Sequence, residues 1–191
     1  MILTETAPAA VTPVSLSELS AHLRLAHGFP DDGAEDALLE LYLRNGAAAV
    51  EARTGRALIR RGFLLRLAAW DRHGHAALPV GPVEAIATLR FVRGTEAVDV
   101  AAGSWALEPG TGRQRVTGAQ GGALSPIPEG YVAELAFDAG FGADPADVPG
   151  ELRQAVLLLA ADFYERRHDD GGAGIPMTVR ALLEPWQPVR I

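Results

Sequence analysis

The chain has 191 residues, of which 48% are hydrophobic, a net charge of −7 at pH 7 and no cysteine. A chain of this length buries about 70% of its unfolded surface, so it can hold a core without covalent staples, and its hydrophobic content excludes a disordered protein. The missing cysteine excludes disulfides, thiolate nucleophiles and cysteine-ligated zinc. The basic residues are all arginine. The acidic balance disfavours tight, non-specific binding of nucleic acid, because that affinity comes from neutralising phosphates.

Nothing in the sequence predicts a membrane span or an export signal. No window approaches the ~18 consecutive apolar residues that a membrane-spanning helix needs. The N-terminal stretch MILTETAPAAVTPVS lacks a basic segment followed by an apolar one, so we expect no secretory signal peptide. We expect an ordered or semi-ordered arm there and, without cysteine, a cytoplasmic product.

Two helices are predicted in the N-terminal part of the chain. The first contains Ser15 and Glu18 at the spacing of a capping box, and Gly28 with Pro30 ends it. The second ends at Gly55, a residue that readily adopts the positive φ found after a helix. Its apolar stripe follows the helical period: Leu39, Leu43, Gly46 and Val50. Small residues would let another helix approach closely: Gly46, Ala47, Ala48 and Ala49.

The middle of the chain, from about residue 58 to residue 140, is predicted to be rich in β-structure. Side chains alternate with a period of two in three segments: 63–67, 89–92 and 131–138. The stretch WALEPGTGRQRV predicts a hairpin whose turn runs from Pro109 to Gly112. We therefore expect a β-rich subdomain between the helices.

A long helix and a short helix are predicted in the C-terminal part. Asp147 is the expected N-cap of the long helix, and Pro149 lies in its first turn, where its missing N–H costs nothing. The long helix is apolar on nearly every side, so we expect it to be buried on two sides. Pro185 ends the short helix, and an extended tail follows.

This order of elements predicts an α+β fold. Two N-terminal helices, the long C-terminal helix and the short helix would form a small helical bundle that carries an inserted β-rich subdomain and an extended C-terminal tail. The expected divisions are an N-terminal arm and helical body at residues 1–57, the β-rich subdomain at 58–140, and the C-terminal helices with the tail at 141–191. Gly55 marks the point where the chain leaves the helical body.

Few residues form a pattern typical of catalysis. His73 and His75, beside Asp71, could hold a metal ion, but such a site needs a third ligand, and we favour an exposed loop. The stretch GTGRQRVTGAQGG lacks the lysine and the strand-to-helix context of a phosphate-binding loop, so we favour a hairpin turn. Glu165 and Asp169, in ERRHDD, would act as acid or base only inside a cleft. We favour a solvated helix end.

Two further features suggest binding surfaces. Arg113 and Arg115 are candidates for contact with a DNA backbone, although they could simply flank a strand. The tail EPWQPVRI carries Trp186 on a proline-rich, extended segment. Aromatic anchors on such segments are typical of docking onto a partner, and packing of the tail onto its own body is the equally weighted alternative.

Four stretches together resemble the head–tail connector (adaptor) family of long-tailed phages and phage-like gene transfer agents: VSLSELSAHLRL, AAAVEARTGRALI, DVPGELRQAVLLLAADFYERR and MTVRALLEPWQPVRI. The likeness covers both ends of the chain and the helical body. From about residue 60 to residue 129 only the layout matches. The order of the blocks, with the runs EARTGRALI and LRQAVLLLAADFYE, makes the resemblance specific.

The resemblance implies a structural protein that is not an enzyme and uses no cofactor. Its copies would form a dodecameric ring beneath the portal protein of a particle assembled in the bacterial cytoplasm. The ring would extend the DNA channel toward the stopper and the tail, with transient DNA contact and no membrane contact. The C-terminal segment would dock onto the portal through six residues: Leu182, Leu183, Trp186, Val189, Arg190 and Ile191.

The patterns found in the sequence agree with these implications. A helix that is apolar on two faces would turn one face to its own body and the other to a neighbouring copy in a ring. The residues assigned to that second face are Leu157, Leu158 and Ala161. A net negative charge suits a conduit through which DNA must slide without sticking.

Two alternatives stay open. Another neck protein, such as a stopper or a tail-completion protein, would be mostly β-barrel, so little helix in circular dichroism would favour it. A small metal-dependent hydrolase would hold a stoichiometric metal ion that is lost in a His73→Ala variant. The sequence does not distinguish an infectious phage from a gene transfer agent or a defective prophage.

Overall fold

A computed structural model describes residues 1–25, 34–109, 113–166 and 174–187. The chain divides into two compact units. The β unit consists of Met1–Pro8 and Arg60–Gly140, and the helical unit consists of Ala9–Ile59 and Phe141–Ile191. The α+β class is therefore confirmed. The first eight residues, which we expected to be part of an N-terminal arm, belong to the β unit because they contain a strand of its sheet.

The described part of the helical unit contains four α-helices: α1 (Leu16–His22), α2 (Ala34–Thr54), α3 (Gly150–Glu165) and α4 (Met177–Leu183). The capping box of α1 is confirmed, since Ser15 Oγ accepts from the N–H of Glu18 at 3.2 Å and Glu18 accepts from the N–H of Ser15 at 2.8 Å. Helix α2 ends directly before Gly55, whose φ is +65°. Helix α1 ends earlier than expected, at His22 with Leu23 as its C-cap, and Arg24 then adopts a φ of +55°. The expected stop at Gly28 and Pro30 is therefore wrong, and these two residues lie outside the described ones.

Helices α2 and α3 form the centre of the helical unit and run antiparallel. Near one end, Tyr164 of α3 packs edge-on against Tyr42 of α2 at 6.1 Å and donates a hydrogen bond to Glu35. In the middle, the backbones approach so closely that a Cβ on Gly46 would lie 2.9 Å from the carbonyl oxygen of Val156. The predicted α2 stripe is buried, from Leu39 through Leu43, Gly46 and Val50.

The start of α3 differs from the prediction. Asp147 is not the N-cap, because it ends a separate 3-10 turn, Pro145–Asp147, where its carboxylate accepts from the N–H of Asp144 at 3.2 Å. Val148 and Pro149 are extended, with ψ of 129° and 138°. A residue that precedes proline is disfavoured in the helical region. The helix therefore begins only at Gly150, and Pro149 is its N-cap rather than a residue of its first turn.

The β unit contains two antiparallel sheets in the described residues. Its strands are β1 (Ile2–Glu5), β2 (Arg61–Leu67), β3 (Ala76–Ala77), β4 (Val83–Arg93), β5 (Glu96–Asp99), β6 (Trp105–Glu108), β7 (Arg115–Gly118) and β8 (Val132–Ala139). The larger sheet has the order β1-β2-β8-β4-β5, and the smaller one has the order β3-β7-β6. The predicted hairpin is confirmed by the pairing of β6 with β7. Gly110, Thr111 and Gly112 of its turn lie outside the described residues.

One face of the five-stranded sheet is apolar. Phe63 pairs with Phe137 across β2 and β8, and the two rings stack at 5.9 Å. On the next row, Leu65, Leu135 and Leu89 are all buried. The alternation predicted for these strands is confirmed. In β4 the pairing register shifts around Ile86, so the buried residues Val83, Ile86 and Leu89 are three apart instead of two.

Candidate functional site

The C-terminal segment packs onto the helical unit as far as the structure describes it. Leu183 is fully buried, and Leu182 is half-buried against the same core. Trp186 packs edge-on against Phe141 at 5.8 Å, and the guanidinium of Arg56 lies 5.2 Å from its ring. Leu183 thus offers no surface to a portal. The other expected portal contacts, Val189, Arg190 and Ile191, lie outside the described residues.

The predicted neighbour-facing side of α3 is only partly accessible. Leu157 and Leu158 are half-buried and lean against the core of their own unit. Ala161 is 5% exposed and belongs to that core. Ala161 therefore offers almost no surface to a neighbouring copy, while the two leucines keep part of theirs.

The two candidate DNA contacts differ in their surroundings. Arg115 on β7 lies opposite Glu108 on β6, and the two side chains form an ion pair. The hydrogen bond between them raises the pKa of Arg115 and lowers the pKa of Glu108. Arg113 is exposed next to this strand. The positive charge of Arg115 is thus balanced locally, whereas Arg113 faces solvent.

In the loop that contains His73 and His75, the polar groups form hydrogen bonds within the loop itself. Asp71 accepts hydrogen bonds from the backbone N–H of His73 at 2.8 Å and of His75 at 2.9 Å. The bond from His75 and, to a smaller extent, the bond from His73 lower the pKa of Asp71. His73 Nε2 accepts from Arg72 at 2.9 Å. Among the residues that the structure describes, no group of three His, Asp or Glu side chains could hold a metal ion.

Of the charged run ERRHDD at the end of α3, the structure describes Glu165 and Arg166. Arg166 caps the helix and pairs with Asp162, one turn earlier, at 2.8 Å. Glu165 is exposed. Asp169, the other candidate acid or base in ERRHDD, lies outside the described residues.

A charged cluster of Arg66, Arg90 and Glu134 on the polar face of the large sheet was not predicted from the sequence. Glu134 in the central strand is 2% exposed and accepts from Arg66 at 2.6 Å and from Arg90 at 2.9 Å. Burial alone would raise the pKa of Glu134, but the hydrogen bonds and charges of both arginines outweigh it and lower that pKa. The signal was present in the sequence. Arg66, Arg90 and Glu134 each occupy the polar phase of an alternating segment.

These features suit binding through protein surfaces better than catalysis. The polar groups at Asp71, Glu108 and Glu134 are engaged in hydrogen bonds and ion pairs of the fold itself. In the ranges that the structure covers, no helix combines the length and apolar character needed to cross a membrane. The more distinctive features are a C-terminal segment that packs on the helical unit as far as Trp186 and a sheet whose two faces differ in polarity.

Comparisons with known proteins give one consistent result. No family model and no curated protein matches the chain. Three solved structures match 100% of it and 97% of the matched chain in each case. They are the neck of an empty GTA particle computed with C6 symmetry (45% identity, TM-score 0.88), the virion of a native gene transfer agent (GTA) particle (47%, 0.85) and the neck of a native GTA particle computed with C12 symmetry (43%, 0.83). Identity at this level over the full length goes well beyond a shared fold.

Proposed function

Because the chain belongs to the family of gene transfer agent neck proteins, we propose that it is the head–tail connector, or adaptor, of such a particle. Its copies form a ring between the portal and the stopper or tail, and the ring extends the DNA channel. The observation that carries this proposal is the full-length match to a chain in a neck computed with C12 symmetry. A ring of identical chains with that symmetry has twelve copies.

The architecture supports an adaptor over another kind of neck protein. A stopper or tail-completion protein would be mostly β-barrel. In this chain the helical unit has its own extensive core, and the β unit is an open five-stranded sheet with a small second sheet. A helical frame with an inserted β unit is the layout that the adaptor family implies.

The proposed partners use different parts of the chain. The portal binds the C-terminal segment through the exposed part of Trp186 and Leu182 and through Val189, Arg190 and Ile191. A neighbouring copy contacts the accessible parts of Leu157 and Leu158. The assignments of Leu182, Trp186, Leu157 and Leu158 are supported by the surface that these side chains keep accessible in the helical unit. Those of Val189, Arg190 and Ile191 rest on the family resemblance.

DNA passes through the ring with only transient contact. Arg113 is the better candidate for that contact, because Arg115 is already paired with Glu108. A net charge of −7 keeps a channel wall from holding the phosphate backbone tightly. The protein resides at the head–tail junction of the particle and does its work as a structural part.

The proposal is tested by deleting the gene in its source and examining particles by negative-stain electron microscopy. We expect filled or empty heads and separate tails that are not joined. Expression of the wild-type chain from a second locus should restore joined particles, which controls for effects on neighbouring genes. Normally joined particles in the deletion strain would overturn the proposal.

A further inference from the structure

The outward face of α2 is exposed and carries no charge. Six residues line this face: Ala37, Leu38, Leu41, Asn45, Ala48 and Ala52. Leu38 is 37% exposed and Leu41 is 51% exposed, which makes them two of the most exposed large apolar side chains that the structure describes in the helical unit. The face extends over roughly 22 Å, at about 1.5 Å per residue. We call it the α2 outer face.

A helix face that stays in water is normally polar. The charged side chains of α2 lie elsewhere around the helix. Arg44 and Glu40, for example, form an i,i+4 ion pair at 2.6 Å on one border of the α2 outer face. The positions from Leu38 to Ala52 follow one another at spacings of three and four, which is the pattern of a seam between two helices. The small alanines allow a partner helix to come close, and a single Asn in such a seam fixes its register.

The α2 outer face points away from α3. Gly46 contacts α3, and Leu41 precedes it by five residues, which places Leu41 about 140° around the helix from that contact. On α3, the backbone carbonyl of Val156, together with Leu159 and Ala160, lies nearest to Gly46. Leu158 follows Val156 by two residues and lies about 160° around from it. The α2 outer face and the surface around Leu158 therefore lie on opposite sides of the α2–α3 pair.

We propose that the α2 outer face packs against α3 of a neighbouring copy, on the surface formed by Leu158 and the exposed Gln154. The inference rests on the proposed ring. A closed ring of identical chains needs a heterologous interface, in which each copy offers two different surfaces to its two neighbours. Two different surfaces on opposite sides of one helix pair meet that need, whereas a face that binds itself yields a closed dimer.

The absence of cysteine makes a direct test possible. Ala48 and Gln154 are both exposed, so the double variant Ala48→Cys with Gln154→Cys leaves the core intact. Particles that carry it are treated with a short bis-maleimide cross-linker and analysed under denaturing conditions. We expect a series of products in steps of the chain mass, 20.1 kDa. Each single variant should give no such series, because a heterologous interface joins two different surfaces and a single variant carries a cysteine on only one of them.

The other outcomes contradict the proposal in distinguishable ways. A dimer from Ala48→Cys alone would show that the α2 outer face binds itself. A product that joins this chain to a different neck protein would assign the face to another partner. No product in joined particles would show that the two surfaces are not neighbours. In each case the deletion experiment still decides the adaptor function separately.

A second measurement does not depend on cross-linking geometry. Leu41→Glu places a charge in the centre of the proposed interface, so we expect particles of this variant to contain at least tenfold less of the chain and to show unjoined heads and tails. Val98→Glu is the matched control, since Val98 is 49% exposed on β5 of the β unit. Joined particles with Leu41→Glu, or equal loss with Val98→Glu, would overturn the assignment of the interface to α2.

Discussion

Gly46 shows how much a single missing side chain can matter. A Cβ at this position would lie 2.9 Å from the carbonyl oxygen of Val156 and 3.3 Å from the amide of Ala160. Both atoms belong to the α3 backbone and cannot swing aside. Gly46→Ala gains up to about 1 kcal/mol in helix propensity but forces the helices apart. We expect a net decrease of about 1–3 kcal/mol in the free energy of unfolding, measured by urea titration of the helical signal in circular dichroism.

Gly150 supplies the matched control for this prediction. It begins α3, and a Cβ there would meet nothing within 4 Å. Gly150→Ala should leave the free energy of unfolding unchanged or raise it by up to about 1 kcal/mol, because alanine restricts the unfolded chain. If both alanine variants were equally stable, the close contact between α2 and α3 would not be what requires glycine at position 46.

Glu134 on β8 forms ion pairs with both neighbouring strands through its carboxylate, with Arg66 on β2 and with Arg90 on β4. Replacing it with Gln keeps the shape but removes the carboxylate that Arg66 and Arg90 share. Both guanidinium groups remain about half exposed, so water replaces part of the loss. We expect Glu134→Gln to lower the free energy of unfolding of the β unit by about 1–3 kcal/mol at pH 7. Chemical denaturation followed by amide exchange in β8 would measure it.

The effect of Glu134 should depend on pH in a defined direction. Its pKa in the folded chain is lowered from the usual glutamate value of 4.5. A lowered pKa contributes stability that is complete above pH 4.5 and is lost as the pH falls through the folded value. The stability difference between the wild-type chain and Glu134→Gln should therefore shrink below pH 4.5. Glu129→Gln, at an exposed position, is the control, and a difference that stays constant down to pH 2 would contradict this account.

Some residue roles could be predicted from sequence, and others depend on tertiary contacts. Ser15 and Glu18 form a capping box because their partners lie within one helical turn. Asp147 has the same local chemistry, but the extended residues before α3 remove it from the helix. Glu134 finds its partners 68 and 44 residues away along the chain. Only the pairing of β8 with both neighbouring strands brings them together.

Among the elements, the long ones with a buried face could be predicted, whereas the two outer strands of the large sheet could not. Helices α2 and α3 and strands β2, β4 and β8 carry a clear period because a core selects apolar residues on one side. Strands β1 and β5 are four residues long, and every one of their residues is exposed. Both lie at an edge of the sheet. Backbone pairing and ion pairs, Glu5 with Arg61 and Glu96 with Arg93, hold them in place. Neither kind of interaction leaves a periodic pattern in the sequence.

Helix α4 and the residues that follow it lead to predictions about the stability of the helical unit and about attachment to the portal. Trp186 packs on Phe141 and Arg56 of its own unit, so Trp186→Ala should lower the stability of the helical unit by about 1–3 kcal/mol.

Removal of residues 188–191 should leave that stability unchanged but abolish attachment to the portal, measured by co-purification with portal rings. Unchanged attachment of the truncated chain would contradict the proposed docking role of these residues.

At the scale of the whole molecule, the two units have separate cores. All members of the helical core come from the helical unit itself, among them Val14, Leu43, Leu58, Val156 and Leu183. The chain leaves this unit after Ile59 and returns at Phe141. These two points are neighbours, since Ile59 forms a bridge with Gly142 and Leu58 accepts a hydrogen bond from the N–H of Phe141 at 3.3 Å.

This geometry predicts that the helical unit folds alone. A variant that lacks residues 1–8 and replaces residues 60–140 with a short Gly/Ser linker should keep the helical circular dichroism and unfold in one cooperative transition. The core loses no member, and a short linker costs little entropy because its ends already meet. A non-cooperative transition, or a far weaker helical signal, would show that the β unit contributes to the stability of the helices.

The same variant separates folding from assembly. Both surfaces of the proposed interface, the α2 outer face and the surface around Leu158, belong to the helical unit. If helix contacts alone hold the ring, the variant should enter rings together with full-length chains and compete with them for places. Joined particles should then become rarer as its expression rises, because copies without a β unit would leave gaps in the structure that follows the ring. A folded variant that never enters particles would mean that the β unit supplies a necessary part of the contact between copies.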